Sequence, residues 1–196
     1  MRECDNHCNR PSHNLFYSFT KKLVWKVQQG TFFGKITRFP EVWSVSFDIR
    51  PRGVVDGWNN IIHFTATGNN CCGVGDRIPG VWFHSRSTEL LICSTVNNKG
   101  ENYYKSKSLP MNKFTHVVIK QEKQNHAFFY TIHINGKQVS KMENHIPRVY
   151  NNVQVWGSDI WHAAANAELR NLEFSKLGKY YFLFFIYTNF DTIVAN

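Results

Sequence analysis

Between Trp43 and Phe174 the chain alternates apolar and polar residues in short runs separated by turn residues, and no stretch with a helical period interrupts them. Residues 43–49 show this most clearly. Trp43, Val45, Phe47 and Ile49 fall on one face of a strand, while Ser44, Ser46 and Asp48 fall on the other. A strand with one apolar face must bury that face against another layer, so the pattern predicts an all-β sandwich. Further strands are expected at residues 23–27, 30–39 (broken at Gly34), 60–67, 114–122, 126–134, 137–142, 152–156 and 167–174. Residues 80–84 and 89–95 read as a hairpin, and Asn135-Gly136 is the strongest two-residue hairpin signal. Residues 68–75 form a long loop, and Asn97-Asn98-Lys99-Gly100 reads as a turn.

This divides the chain into a polar, irregular segment at 1–22, a sandwich at 23–176 and an apolar tail at 177–196. The tail lacks alternation and is rich in Phe, Tyr, Ile and Asn. It reads either as sequence from outside the native coding frame or as an edge strand or partner-binding tail. The first residues show no apolar core of a signal peptide, and the apolar run at 180–187 is too short to span a bilayer.

Aromatic residues make up 15% of the chain, which suits pleated faces, and charged residues only 19%, which excludes a disordered or coiled-coil composition. A net charge of +9 favours anionic partners such as sulfated glycans, but the basic residues are scattered and the longest run is Lys21-Lys22. No helix-turn-helix or RNA-binding signature accompanies the charge, so nucleic acid is not an expected partner. Of the five cysteines, Cys4 and Cys8 lie in the polar N-terminal stretch, Cys71 and Cys72 in a loop and Cys93 in the following strand. A strand–loop disulfide between Cys93 and one of the pair is the expectation for a secreted protein. Cys4 and Cys8 with His13 lack the second ligand pair that a zinc finger needs.

Several segments, in order, resemble laminin-G-like domains of the concanavalin A-like lectin/glucanase superfamily. Residues 43–51 (WSVSFDIRP) resemble the opening strand and residues 114–119 (FTHVVI) a later one. Residues 132–137 (IHINGK) are similar to the hairpin that follows, and residues 168–172 (ELRNL) to the closing strand. The resemblance covers about residues 25–174. It implies a jelly-roll sandwich of two antiparallel sheets, an extracellular setting, and binding of glycans, proteins or sulfated polysaccharide, in some members with calcium at the loop rim. It also implies that the chain is part of a larger multidomain protein.

The chemistry-bearing residues fit recognition better than catalysis. The superfamily's glycosidases place two carboxylates at alternate positions of one strand, and no acidic residues within the predicted strands here have that spacing. Glu168 and Glu173, five apart, are expected on opposite faces. Asp76 and Asp159 are loop acids that suit calcium, against the plainer reading of a turn cap or an Asx-turn. Trp58 and Trp161 lie near strand ends, where a ring can stack on a sugar, whereas Trp82 reads as core. His63, His116 and His133 read as solvated strand residues. Arg77, Arg86 and Lys99, with Lys105 and Lys107, would form a cationic patch if their loops met at one rim. The expected function is non-catalytic binding of carbohydrate or an acidic extracellular partner through rim loops. The alternatives are an adhesion domain that contacts protein by a sheet face or edge, and a degenerate glycoside hydrolase.

Overall fold

The alternation at residues 43–49 becomes β4 (Trp43–Pro51), with Trp43, Val45, Phe47 and Ile49 buried and the intervening residues half-buried. The computed structural model of the protein describes residues 16–18 and 23–176, and among these there are fourteen strands and no helix. The first sheet runs in the order β1 (Phe16–Ser18), β14 (Ala167–Lys176), β4, β9 (Thr115–Gln124), β10 (Ala127–Ile134) and β11 (Lys137–Glu143), and β2 (Trp25–Lys26) also pairs with β14. The second runs β3 (Phe32–Phe39), β12 (Tyr150–Trp156), β5 (Asn59–Thr65), β6 (Gly80–Phe83), β7 (Glu89–Val96) and β8 (Lys99–Ser108). A short parallel strand, β13 (Ala163–Ala164), is added on β5. The inner faces of the two sheets share one apolar core, as the sequence pattern predicts. Phe39 gathers rings from both layers, with centroids 5.1 Å from Trp43, 4.9 Å from Phe174 and 6.4 Å from Phe64. No described helix is long and apolar enough to cross a membrane.

Three hairpins share one turn chemistry. Asn135-Gly136 has φ of 49° and 77°, Asn125-His126 has 46° and 72°, and Asn97-Asn98 has 53° and 60°. Two consecutive left-handed residues make the turn whose twist matches a right-handed hairpin, and Asn and Gly tolerate that region best. β1 lies within the segment read as irregular. β8 falls where the sequence reading placed a turn and no strand. Its residues, KGENYYKSKS, are polar on both faces apart from two tyrosines. That is the composition of an edge strand guarded by lysines, and it carries little periodic signal. Cys4, Cys8, His13 and the tail at 177–196 lie outside the described residues.

The expected strand–loop disulfide is corrected. Cys71 is joined to Cys72, its neighbour in the chain, and Cys93 is a free, buried thiol. Cys93 projects from the middle of β7 to the outer side of the second sheet, where it packs with Trp82 and Leu91. Cys71 and Cys72 sit exposed on the loop. Burial pushes the Cys93 thiol above its ordinary value, against the lowering effect of Arg77, so it is a poor nucleophile.

Candidate functional site

β5 is buried along its whole length, because residues 157–165 cross the outer face of the second sheet above it. His63 lies on that covered face, fully buried. Its Nδ1 is 2.8 Å from Asp159 Oδ2, and its Nε2 is 2.7 Å from the backbone oxygen of Asp76. Both partner atoms are hydrogen-bond acceptors. Asp159 is equally buried and accepts further bonds from His162 Nδ1 at 2.9 Å and from the backbone N–H of Trp161 at 3.1 Å and His162 at 2.8 Å. Its own N–H donates to Asn60 Oδ1 at 2.8 Å, and Asn60 in turn donates to the carbonyls of Ile62 and Val81. One carboxylate thus ties the covering loop to the sheet.

Burial pushes the Asp159 carboxyl upward, but hydrogen bonds from His162 and His63 outweigh it and hold the group well below the usual carboxylate range. Its folded value therefore lies under the unfolded value of about 3.9. The stabilisation is complete above that value and is lost as pH falls through it toward the folded one. Unfolding free energy measured across acid pH should decline below about pH 4 in the wild type. It should decline less steeply in Asp159→Asn, and equal slopes would contradict this assignment.

The loop acids read as calcium ligands are thus hubs of protein hydrogen bonding. Asp76 accepts from Thr67 Oγ1 at 2.5 Å and from the Gly73 N–H at 2.6 Å. Every carboxylate oxygen of Asp76 and Asp159 already accepts a bond from the protein. Among the described residues, the one group of His, Cys, Asp or Glu ligand atoms close enough to share an ion is Cys71, Cys72 and Glu101.

Trp82 lies flat along β6 over Gly80, where an added Cβ would stand 2.1 Å from the ring. Arg77 caps the ring at 4.6 Å, with His63 and His162 each 5.5 Å away. Trp82 is buried, yet it belongs to the outer cluster and not to the main core. Trp161 leans on His63 with centroids 5.5 Å apart and is half-buried. His63 and His162 were missed as a unit. The apolar neighbour Ile61 was the local sign that β5 is covered on both sides, but the 96-residue separation of His63 from Asp159 left the pairing itself invisible.

Trp58 stands apart, 48% exposed, at the end of the sheet where residues 52–58 meet the β6–β7 turn. The two loops are clasped by Gly57 N–H donating to Ser85 Oγ at 3.0 Å and Arg86 N–H donating to Val55 O at 2.9 Å. His84 meets the Trp58 ring edge-on at 5.4 Å, and Arg86 pairs with Asp56 at 3.2 Å. The proposed cationic convergence is corrected. Arg86 and Lys99 flank opposite ends of β7, whose eight residues extend about 25 Å. On β8, Lys99 lies at the far end, while Lys105, opposite Leu91, and Lys107, next to the Ser108 that opposes Glu89, lie toward the Arg86 end, where Lys105 is paired with Glu89 at 2.8 Å. Arg77 is spent on Trp82 and on the carbonyl of Asn70.

On the first sheet, Asp48 accepts from His116 at 2.8 Å, Arg170 at 3.0 Å and Asn171 at 2.9 Å. His133 sits on the same outer face, in register with Val118. Glu168 and Glu173 share a face, contrary to expectation. A bulge between Arg170 and Glu173 resets the register, so that Glu168 opposes Arg50 and Glu173 opposes Ser46. Four residues along β4 separate them by about 13 Å, beyond the span of paired glycosidase carboxylates. Glu168 is also ion-paired with Arg50.

No family model and no curated protein matches the chain. Solved structures do. The structure named HCR/D-Sa-GBL1/C is 16% identical, with a TM-score of 0.50, over 84% of this chain and 43% of its own. The receptor-binding domain of botulinum neurotoxin type G is 11% identical with a TM-score of 0.48, over 84% of this chain and 44% of its own. Trypanosoma rangeli sialidase, in a covalent intermediate with 2,3-difluorosialic acid, is 11% identical with a TM-score of 0.49, over 83% of this chain and 30% of its own. At these identities the likeness is one of fold: an all-β sandwich of two antiparallel sheets. The chain spans less than half of each of the three.

Proposed function

We propose that this chain is a laminin-G-like recognition module that binds carbohydrate, or an acidic or sulfated extracellular partner, at the rim carrying Trp58, without covalent chemistry. The observation that carries this reading is the half-exposed Trp58 ring, braced edge-on by His84 and flanked by Arg86 and Asp56. An indole face held open to solvent can stack on the apolar face of a sugar ring. The neighbouring guanidinium and carboxylate would then reach its hydroxyls or a sulfate. The loops are clasped to each other, so little ordering is needed on binding. The distance between Glu168 and Glu173 argues against the degenerate glycosidase. Calcium at Asp76 or Asp159 would share each carboxylate with the protein donors already bound to it.

A glycan array probed with and without calcium tests the reading. Wild type should bind at least one class of glycan, and Trp58→Ala should weaken it by about tenfold or more. A blank array under both conditions would remove the lectin reading. It would leave the adhesion alternative, for which Tyr103, 69% exposed on the edge strand β8, is the favouring feature.

A further inference from the structure

We propose that the end of the sandwich opposite Trp58 holds a second ligand site, which takes the carboxylate of an acidic sugar residue. The site does not rest on the reading given to the Trp58 rim. The two sheets part there into a hollow of about 270 Å3 counting its open mouth, with an enclosed depth of about 10 Å3, the room that one oxygen-sized group needs. Ser94, late in β7, lines it from the second sheet, and Trp43 at the start of β4 and Gln121 late in β9 line it from the first. The connection between β11 and β12 supplies Asn144, Ile146 and Arg148. The length of β7, about 25 Å, separates this end from the turn beside Trp58.

The hollow has donors to spare and no acid. Asn144 and Gln121 are both buried. Asn144 Oδ1 accepts from the N–H groups of Asn97 at 2.9 Å and Ile146 at 3.2 Å, and Asn144 Nδ2 donates to Gln121 Oε1 at 2.6 Å. Gln121 Nε2 in turn donates to Glu41 O at 2.7 Å. Both amide oxygens already accept, and each amide nitrogen keeps one hydrogen. Arg148 donates from Nη2 to Asn98 Oδ1 at 2.6 Å, and no described carboxylate pairs with it. No Asp or Glu lines the hollow. A buried hydroxyl borders it as well. Tyr130, 4% exposed, opposes Gln121 and lies with its ring 6.3 Å from that of Trp43. Its hydroxyl reaches Ser94 without making a well-formed hydrogen bond.

Surplus donors with no acid beside them call for a negatively charged acceptor. The enclosed depth admits one carboxylate oxygen, and the Arg148 guanidinium, which matches a carboxylate with parallel N–H groups, takes the other. Ile146, 47% exposed, gives the mouth an apolar wall for the ring of a pyranose. The Ser94 and Tyr150 hydroxyls on the same lining can give or accept bonds with the hydroxyls of the sugar.

The test titrates the full chain calorimetrically with three probes: glucuronate, glucose and acetate. Glucuronate should bind saturably, and glucose and acetate should each bind at least about tenfold more weakly, since each lacks half of the recognised chemistry. Arg148→Gln removes the charge at an exposed position, and Ile146→Glu sets a like charge at the mouth. Each should weaken glucuronate binding by about tenfold or more. Trp58→Ala should bind glucuronate as wild type does, which keeps this site distinct from the rim. Urea midpoints of the Arg148 and Ile146 variants, measured alongside, should match wild type and so separate loss of the site from loss of the fold. Absence of saturable glucuronate binding would overturn the proposal, as would equally tight binding of glucose or acetate, binding unchanged in Arg148→Gln, or binding lost in Trp58→Ala.

Discussion

Replacing Asp159 with alanine is expected to lower the unfolding free energy by about 3 kcal/mol or more, because several buried donors lose one shared acceptor. The cost has two sources. His63 and Asp159 are both fully excluded from water, so the imidazole left behind cannot recover its lost partner from solvent. The backbone N–H groups of Trp161 and His162 lose their acceptor at the same time, which frees the loop that covers β5. Asp159→Asn keeps one acceptor oxygen and should cost less. Asp56→Ala breaks an ion pair whose side chains are 80% and 83% exposed and should stay within about 1 kcal/mol. Urea unfolding at neutral pH measures all three, and an Asp159→Ala loss no larger than that of Asp56→Ala would refute the hub.

Phe39→Ala should cost a similar amount, about 3–5 kcal/mol, by a different route. Its ring is 1% exposed and touches rings from both sheets, including Phe174 on β14 and Phe64 on β5. Truncation leaves a cavity walled by rigid aromatics on separate strands, which cannot close around it without bending both sheets. The expected signature is a lower urea midpoint with an unchanged m-value. A loss under about 1 kcal/mol would mean that the cluster relaxes freely.

The fold was legible wherever a strand has one wet face. β4 alternates, and its buried set is the one that period-2 reading selects. The Asn135-Gly136 turn needed only local chemistry. β8 was illegible because a lysine-rich edge strand has no apolar face to announce it. The carboxylate pair on β14 was misplaced because a bulge at Asn171, invisible in residue spacing, flips the face of everything after it. At the candidate site Asp159 drew attention as a loop acid, and Trp58 as a ring next to a turn. His63 was read as wet because strand alternation says only that it points away from the core. It cannot say that a loop 96 residues later folds over the top. The cysteine pairing was illegible because Cys71 and Cys72 are neighbours, and sequence spacing does not say which sulfurs meet.

The pairing of β14 with β4 joins Glu168 to Arg50 across 118 residues. A ribosome delivering this chain from its amino end releases β4 long before its neighbour exists. During that interval one flank of β4 presents bare amides and carbonyls along its length, and any extended segment nearby, including the same strand of another nascent copy, offers them a mate. Completion of the first sheet is therefore a late event of synthesis, and crowding on the polysome is where this architecture is most exposed to mispairing.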